Sequence, residues 1–384
     1  MRKIIAVTGI RSEYDILYSV LKAIRDHSLL ELGVVITGAH LSDSYGNTKA
    51  LIYNDGFAIS DEVESLLDAD SPSSRVKGLG IQLQGLVQTV VRERPDILLV
   101  LGDREESVAT ALVGAYMNIP VAHLCGGDRV IGNVDDQVRH AVTKLAHLHF
   151  TTTQESAERV LRLGEQSFRV HNVGNPGLDR FLEVPTMSAV ELSQSIGFPI
   201  DDNNPLLLVI QHVISSEVDA AYQQMKITLD AVADLGVTTV LIYPNSDAGG
   251  QQMIRAISEF EPISNLYIAK NLPRLEFVNL LRRASCLLGN SSAGILEAPM
   301  LRLPVVNVGN RQKGRLHTEN VTFVPHDKDS IVSAVHRALF DTAYRQTLLS
   351  CSNPYGDGRS SIRIANILAT IRIDNCLLIK DITY

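Results

Sequence analysis

Tryptophan is absent from this 384-residue chain, and its four cysteines, Cys125, Cys286, Cys351 and Cys376, lie far apart with no C-x-x-C pair. Neither a disulfide framework nor a zinc knuckle is indicated. Positive charge is in deficit: 35 Lys and Arg against 43 Asp and Glu leave −8, which argues against a general nucleic-acid or anionic-membrane surface. Long apolar runs are missing as well. Stretches such as 97–101 and 206–210 fall far short of the ~20 residues that cross a bilayer, and Met1-Arg2-Lys3 leads directly into a strand pattern instead of a secretory leader. The expectation is a cytoplasmic protein with no nucleic-acid and no membrane partner. No G-x-x-x-x-G-K-S/T run occurs, and the one near match to a dinucleotide fingerprint, Gly78-Leu79-Gly80, falls inside a helical pattern. A P-loop ATPase and a standard NAD enzyme are thereby excluded.

The remaining composition, 45% apolar and 20% charged, is that of a globular protein, and its length suggests two domains at roughly 150 residues each. Short Val, Ile and Leu runs alternate with stretches of helical period, the pattern of parallel sheets covered by helices on both faces. Strands are expected at 3–7, 32–37, 97–101, 121–124, 148–152 and 169–173, with helices at 13–27, 75–92, 108–117 and 155–163. Tyr14, Leu17, Leu21 and Ile24 form one apolar stripe; Val76, Leu79, Leu83, Leu86 and Val90 form another. Segment 184–205, rich in Pro, Asp and Asn, reads as linker and turn chemistry. A second series follows, with strands at 206–210, 239–243, 266–269, 286–288 and 305–308 and helices at 218–235, 251–260, 273–284 and 330–339. The fold class is therefore α/β with two Rossmann-like domains, 1–180 and 181–359. A last helix at 362–371, after the turn cluster 354–358, is placed to return to the first domain with the tail 360–384.

Ligands of open parallel sheets bind at the carboxyl ends of strands, and here those tips are polar. They read Thr8-Gly9-Ile10-Arg11, Gly38-Ala39-His40, Gly102-Asp103-Arg104 and Gly126-Gly127-Asp128 in the first half. The second half has Gln211-His212, Pro244-Asn245, Gly289-Asn290-Ser291-Ser292 and Gly309-Asn310-Arg311. Glycine permits close backbone approach and helix starts offer N–H groups to anions, so Gly289 to Ser292, before the helical stretch 293–300, suits a diphosphate. Arg11, Arg104 and Arg311 add fixed cations with bidentate phosphate geometry. Each residue also has an ordinary alternative. Asp103 and Asp135 suit helix caps, Glu297 a solvated helix position, and His212 a strand end. His140, His147 and His149 lack carboxylate or cysteine partners at zinc spacing, so no metal site is expected.

These motifs, with Ser12-Glu13-Tyr14, Tyr45-Gly46-Asn47-Thr48, Val134-Asp135-Asp136-Gln137-Val138-Arg139-His140, Gln312 and Tyr355-Gly356-Asp357-Gly358, resemble the hydrolysing UDP-N-acetylglucosamine 2-epimerases of sialic-acid synthesis over nearly the whole chain. The resemblance implies a glycosyltransferase-B-like architecture with an active site in the interdomain cleft, and no cofactor. The implied reaction takes UDP-N-acetylglucosamine and water to UDP and N-acetylmannosamine, through anti-elimination to 2-acetamidoglucal and then hydration. C2–H of such a sugar is barely acidic, so departure of UDP must run ahead of proton loss; cations on the diphosphate and an acid/base pair at C1/C2 follow from that. By resemblance Asp103 and Asp135 are the acid/base carboxylates and His212 assists the departing diphosphate. Arg11, His40, Arg104, Asn245, Asp247, Ser291, Ser292 and Arg311 hold the nucleotide, with Glu297 on the ribose hydroxyls. The resemblance also suggests a homodimer or homotetramer.

One departure stands out. Many members carry Glu two positions after the histidine of His123-Leu124, where this chain has Cys125. A buried thiol does not replace a carboxylate, so Asp128 is expected to cover part of the missing role. The departure opens an alternative substrate, UDP-N,N′-diacetylbacillosamine of the legionaminic-acid route. Nonhydrolysing epimerases and glycosyltransferases of the same architecture are the further alternatives, and a nucleotide-sugar sensor without turnover is another.

Overall fold

Continuous apolar runs become strands because a parallel sheet covered on both faces buries every side chain; Ile97–Leu101 is buried from end to end. The computed structural model describes residues 1–67, 71–129, 135–214, 216–245 and 249–384. These fall into two compact units, Met1–Leu182 with Tyr355–Tyr384, and Glu183–Pro354.

The first unit holds seven parallel strands in the order β3-β2-β1-β4-β5-β6-β7: β1 (Arg2–Thr8), β2 (Leu30–Thr37), β3 (Ile59–Val63), β4 (Ile97–Leu101), β5 (Val121–Leu124), β6 (Leu148–Thr151) and β7 (Val170–Asn172). Its helices are α1 (Arg11–Arg25), α2 (Lys49–Asn54), α3 (Pro72–Glu93), α4 (Glu105–Met117), α5 (Asp135–Leu145), α6 (Gln154–Arg162) and α7 (Gly177–Glu183). In the second unit six parallel strands run β10-β9-β8-β11-β12-β13, with β8 (Leu206–Ile210), β9 (Thr238–Ile242), β10 (Leu266–Ala269), β11 (Cys286–Gly289), β12 (Val305–Val308) and β13 (Val321–Val324). Its helices are α8 (Ala189–Ile196), α9 (Ala221–Leu235), α10 (Gly250–Glu259), α11 (Arg274–Arg283), α12 (Ala293–Leu296), α13 (Lys328–Phe340) and α14 (Thr342–Thr347). The chain then returns to the first unit as α15 (Ser360–Thr370) and α16 (Asn375–Leu378). Strand order reverses between β1 and β4 and again between β8 and β11, which marks a topological switch point in each sheet.

Two sequence expectations change. Segment 184–205 contains α8, whose Ser188 and Glu191 form a reciprocal capping box and whose Leu192 and Ile196 are buried; the prolines around it masked that S-x-x-E start signal. The stripe expected on α3 is only half right. Leu86 and Val90 are buried, but Val76 is 70% exposed. The buried face runs instead through Ser74, Gly78 and Gln82. Space for a Cβ on Gly78 and on Gly85 is taken by Ser65 O and the Val63 side chain at 2.5 Å. The glycines let α3 lie flat on the β3 segment, an edge strand the sequence pattern did not reveal. At 22 residues α3 is ~33 Å long, against ~17 Å for a five-residue strand, so its first turns project beyond the strand tips.

The returning tail is stitched on by buried charges. Asp179 accepts the N–H groups of Ser360 and Ser361 at 3.1 and 2.6 Å, capping α15, and Ile364, Ala365 and Leu368 join the core of Leu17 and Leu21. Arg169, fully buried, donates to the carbonyls of Cys376, Leu377 and Ile379. Lys380 donates to those of Thr143, Lys144 and Ala146 at the end of α5 and pairs with Glu165 at 2.8 Å. The tail therefore fixes the helix whose other end begins at Asp135.

Burial pushes five histidines of this unit down, His40, His147 and His149 to about 4, His123 to about 3, and His171 in the same direction. Between the ordinary histidine range and those values the unfolded chain binds protons the folded one does not, so stability falls as pH falls. The melting temperature is expected to drop steeply from pH about 7 to about 4.5. A flat profile across that window contradicts neutral burial of these rings.

Candidate active site

A cavity of about 730 Å³ opens at the first switch point, where Asp103, Arg104 and Asp135 line it together. The β4 tip turns through Gly102 at φ +76°, which presents Asp103 and Arg104, while Asp135 starts α5. Glu13 of α1 and the projecting turn of α3, with Arg75, Val76 and Leu79, close the sides. Three of the residues expected from sequence thus share one pocket.

Two supports in this pocket were not foreseen. Arg139 of α5, 5% exposed, pairs through one terminal nitrogen with the Asp103 carboxylate and donates through the other to Cys125 O at 2.8 Å. Burial draws the guanidinium down to about 10, so it remains a cation at neutral pH and fixes the carboxylate in place. Cys125 adopts φ +60°, a left-handed conformation that costs a β-carbon residue roughly 1–2 kcal/mol and aims its carbonyl at Arg139. The second support is His123, a strand residue of β5, whose Nε2 lies 2.7 Å from Gly102 O and anchors the tip before Asp103. Both bond backbone atoms of distant loops, and Arg139 a distant carboxylate as well, which leaves no spacing signal in the sequence.

Cys125 is buried in the core, and burial, with Asp128 beside it, pushes its thiol well above the usual range. It packs and does not exchange protons. Asp128 is half-buried, and its Oδ1 accepts the hydroxyls of Thr152 and Ser156 at 2.5 and 2.8 Å. Asp128 is not among the cavity-lining residues; it anchors the glycine loop to α6. His40 is fully buried, with its ring nitrogens 3.1 Å from the Thr8 hydroxyl and 2.7 Å from that of Thr48. It braces the β2 tip from within instead of offering nitrogen to a ligand. Arg11 is exposed on the first turn of α1, 4.0 Å from Asp15. Among the former metal candidates, His149 Nε2 meets Glu165 at 3.0 Å and His147 Nδ1 accepts the Val121 N–H.

The second unit assembles its own set at β8, β11 and β12. Asn290, fully buried, accepts the His212 N–H at 2.7 Å and donates to His212 O at 2.9 Å. Its backbone carbonyl receives Arg311 at 3.2 Å and Gln312 at 2.8 Å. One residue thus gathers His212, through its side chain, and Arg311, through its backbone carbonyl, at the β11 tip that also carries Ser291. The Gly289 backbone, φ +129°, leaves no room for a Cβ, which would meet Ile210 O at 2.1 Å. His212 Nδ1 accepts the backbone N–H of Asn245 at 3.1 Å, so the neutral ring carries its proton on Nε2 and is a donor there. Ser291 and Ser292 are half-buried at the start of α12. Glu297 follows α12; burial raises its carboxyl, and its Oε2 has no hydrogen-bond partner among the described residues. Asp247 lies outside the described residues.

The chain is 37% identical over its whole length to a Legionella pneumophila protein, itself covered completely, named UDP-N,N′-diacetylbacillosamine 2-epimerase (hydrolyzing). A Campylobacter jejuni GDP/UDP-N,N′-diacetylbacillosamine 2-epimerase (hydrolyzing) is 32% identical over 83% of each chain. A solved UDP-GlcNAc 2-epimerase from Neisseria meningitidis bound to UDP-GlcNAc superposes with a TM-score of 0.77 at 21% identity, over 95% of this chain and 99% of that one. It shares the pair of parallel-sheet α/β units, the glycosyltransferase-B-like fold anticipated from sequence. The sequence profile of the UDP-N-acetylglucosamine 2-epimerase family matches residues 22–369, and with the full-length relative this establishes that the chain belongs to that family.

Proposed function

We propose that the chain is a hydrolysing 2-epimerase that converts UDP-N-acetylglucosamine and water to UDP and N-acetylmannosamine, by elimination to the 2-acetamidoglucal and hydration from the face that inverts C2. The convergence of Asp103, Arg104 and Asp135 on one cavity carries the reading. Two carboxylates beside a cation are what proton removal at C2 and oxocarbenium character at C1 require. His212 donates from Nε2 to the departing diphosphate, and Arg11, Arg311, Ser291 and Ser292 hold it. The unpaired Glu297 oxygen suits a ribose hydroxyl, which would satisfy it. With Cys125 inert, the acid/base work falls to Asp103 and Asp135.

A second substrate, UDP-N,N′-diacetylbacillosamine, is favoured by the names of the Legionella pneumophila and Campylobacter jejuni relatives. The apolar cavity wall of Val76, Leu79, Val108 and Val138 suits a 6-deoxy sugar. Each UDP-sugar is to be incubated in deuterated water and the products followed by NMR. The proposal expects UDP and a free 2-deuterated sugar of inverted C2 configuration. A returned UDP-sugar would identify a nonhydrolysing epimerase, and absence of turnover on both substrates overturns the reading.

A further inference from the structure

At the wall of the cavity two carboxylates converge on Gly9. Glu13 of α1 accepts the Gly9 N–H at 3.3 Å, and Glu106 of α4 fills the space of the absent Gly9 side chain, its Oε1 1.9 Å from where a Cβ would stand. Glu106 Oε1 also occupies the Cβ space of Gly38, so both glycines are required by this side chain. Glu13 and Glu106 are 6% and 5% exposed. The cation that reaches them is Arg104, whose Nε is 3.4 Å from Glu106 Oε2, and those two buried atoms make no hydrogen bond.

The charge count is decisive. Two buried anions against one guanidinium would leave a net negative wall on a pocket that has to work on an anionic UDP-sugar. One proton held by the pair removes that charge, and the remaining carboxylate balances Arg104. We propose that Glu13 and Glu106 share a single proton at neutral pH and act as positioning residues that keep Arg104 in the cavity as a cation with a neutral foundation. The inference rests on the epimerase reading for its kinetic consequence, but not for the proton itself.

Other charges around the pair fit this division. Burial raises Glu13 well above the carboxylate range, and repulsion from Glu106 adds to it, while Arg104 and the Gly9 N–H oppose. Burial also raises Glu106, against the pull of Arg104. For Arg104 burial acts downward and is outweighed by Glu106, Glu13 and Glu105. On the neighbouring elements Glu105 is taken by Arg75 of α3, though it also lies 3.8 Å from Arg104, and Asp103 by Arg139 of α5, while Arg11 is 4.0 Å from Asp15 of α1, which pairs with Arg180; His40, whose backbone N–H donates to Gly9 O, is buried neutral. Glu13 is accordingly the member expected to carry the proton.

Infrared difference spectra of the full chain at neutral pH test the proton without reference to activity. The carbonyl band of a protonated carboxylic acid is expected in the wild type and diminished in Glu13→Gln, with Glu297→Gln as a control for another carboxyl that burial raises. A band unchanged in both Glu13→Gln and Glu106→Gln overturns the proposal. Should Glu13→Gln not fold, loss of the band in Glu106→Gln is the supporting result, because removing one member lets the other ionise against Arg104. The kinetic arm follows kcat/KM against pH, each variant scaled to its own maximum. The wild type is expected to decline on the alkaline side as the shared proton leaves, and Glu13→Gln to lose that limb; an identical limb in both rejects the positioning role. A protonated-acid band with no turnover on either UDP-sugar would uphold the pair and reject the epimerase reading.

Discussion

An Asp103→Asn chain is expected to turn over UDP-sugar about 10²–10⁴-fold more slowly, while its affinity for UDP stays close to that of the wild type. The asparagine keeps the shape of the tip after Gly102 but removes a carboxylate able to take or give a proton. It also strips Arg139 of its counter-ion. A buried guanidinium left without its partner costs roughly 3–5 kcal/mol, which a thermal melt will show. Stability and catalysis can be separated by pairing the substitution with Arg139→Met. Removing the cation too is expected to restore much of the lost stability, because an apolar side chain tolerates the site, and to restore none of the turnover. Recovery of turnover in the double variant would mean that Asp103 serves to hold Arg139 in place and nothing more. Equal losses in kcat and kcat/KM would assign the contact to the transition state.

How far this site could be read in advance depended on where each residue finds its partner. Strands β4, β5, β8 and β12 carry the limits expected from their apolar runs, because burial demands an unbroken run. β3 and β13 are edges with half-exposed patterns, so Ile-Ser-Asp-Glu-Val and Val-Thr-Phe-Val gave no such run. Polar tips were legible for the same reason in reverse: Asp103, Arg104, His212 and Ser291 interrupt apolar stretches where a parallel sheet places its ligands. Arg139, His123 and Asn290 were not, since each bonds backbone atoms of another loop and nothing in its own neighbourhood announces that partner. Asp128 and His40 show the converse. Their position at strand tips suggested ligand contact, yet Asp128 is engaged by two hydroxyls and His40 is closed in between Thr8 and Thr48.

Asn290 offers the largest expected effect in the second unit. Asn290→Leu removes the acceptor of the His212 N–H and the donor to His212 O. Each buried backbone group left unpaired costs about 1–3 kcal/mol. Freed of this tether, His212 no longer holds Nε2 against a fixed point, and a displacement of about 1 Å is enough to lower turnover on the order of 10²-fold. Asn290→Asp is the sharper variant. It is isosteric and keeps the acceptor for His212 N–H, but it turns an oxygen towards His212 O where the amide had donated. If the two-way bond sets the position of His212, aspartate should be nearly as damaging as leucine at neutral pH, and both should weaken UDP binding as well as turnover, because the Asn290 backbone carbonyl that receives Arg311 and Gln312 shifts when its side chain loses His212. UDP titration calorimetry and steady-state rates on the two variants decide this. Wild-type affinity and rate in Asn290→Asp would show that the amide donor is dispensable, and that the tips of β8 and β11 are held by their sheet alone.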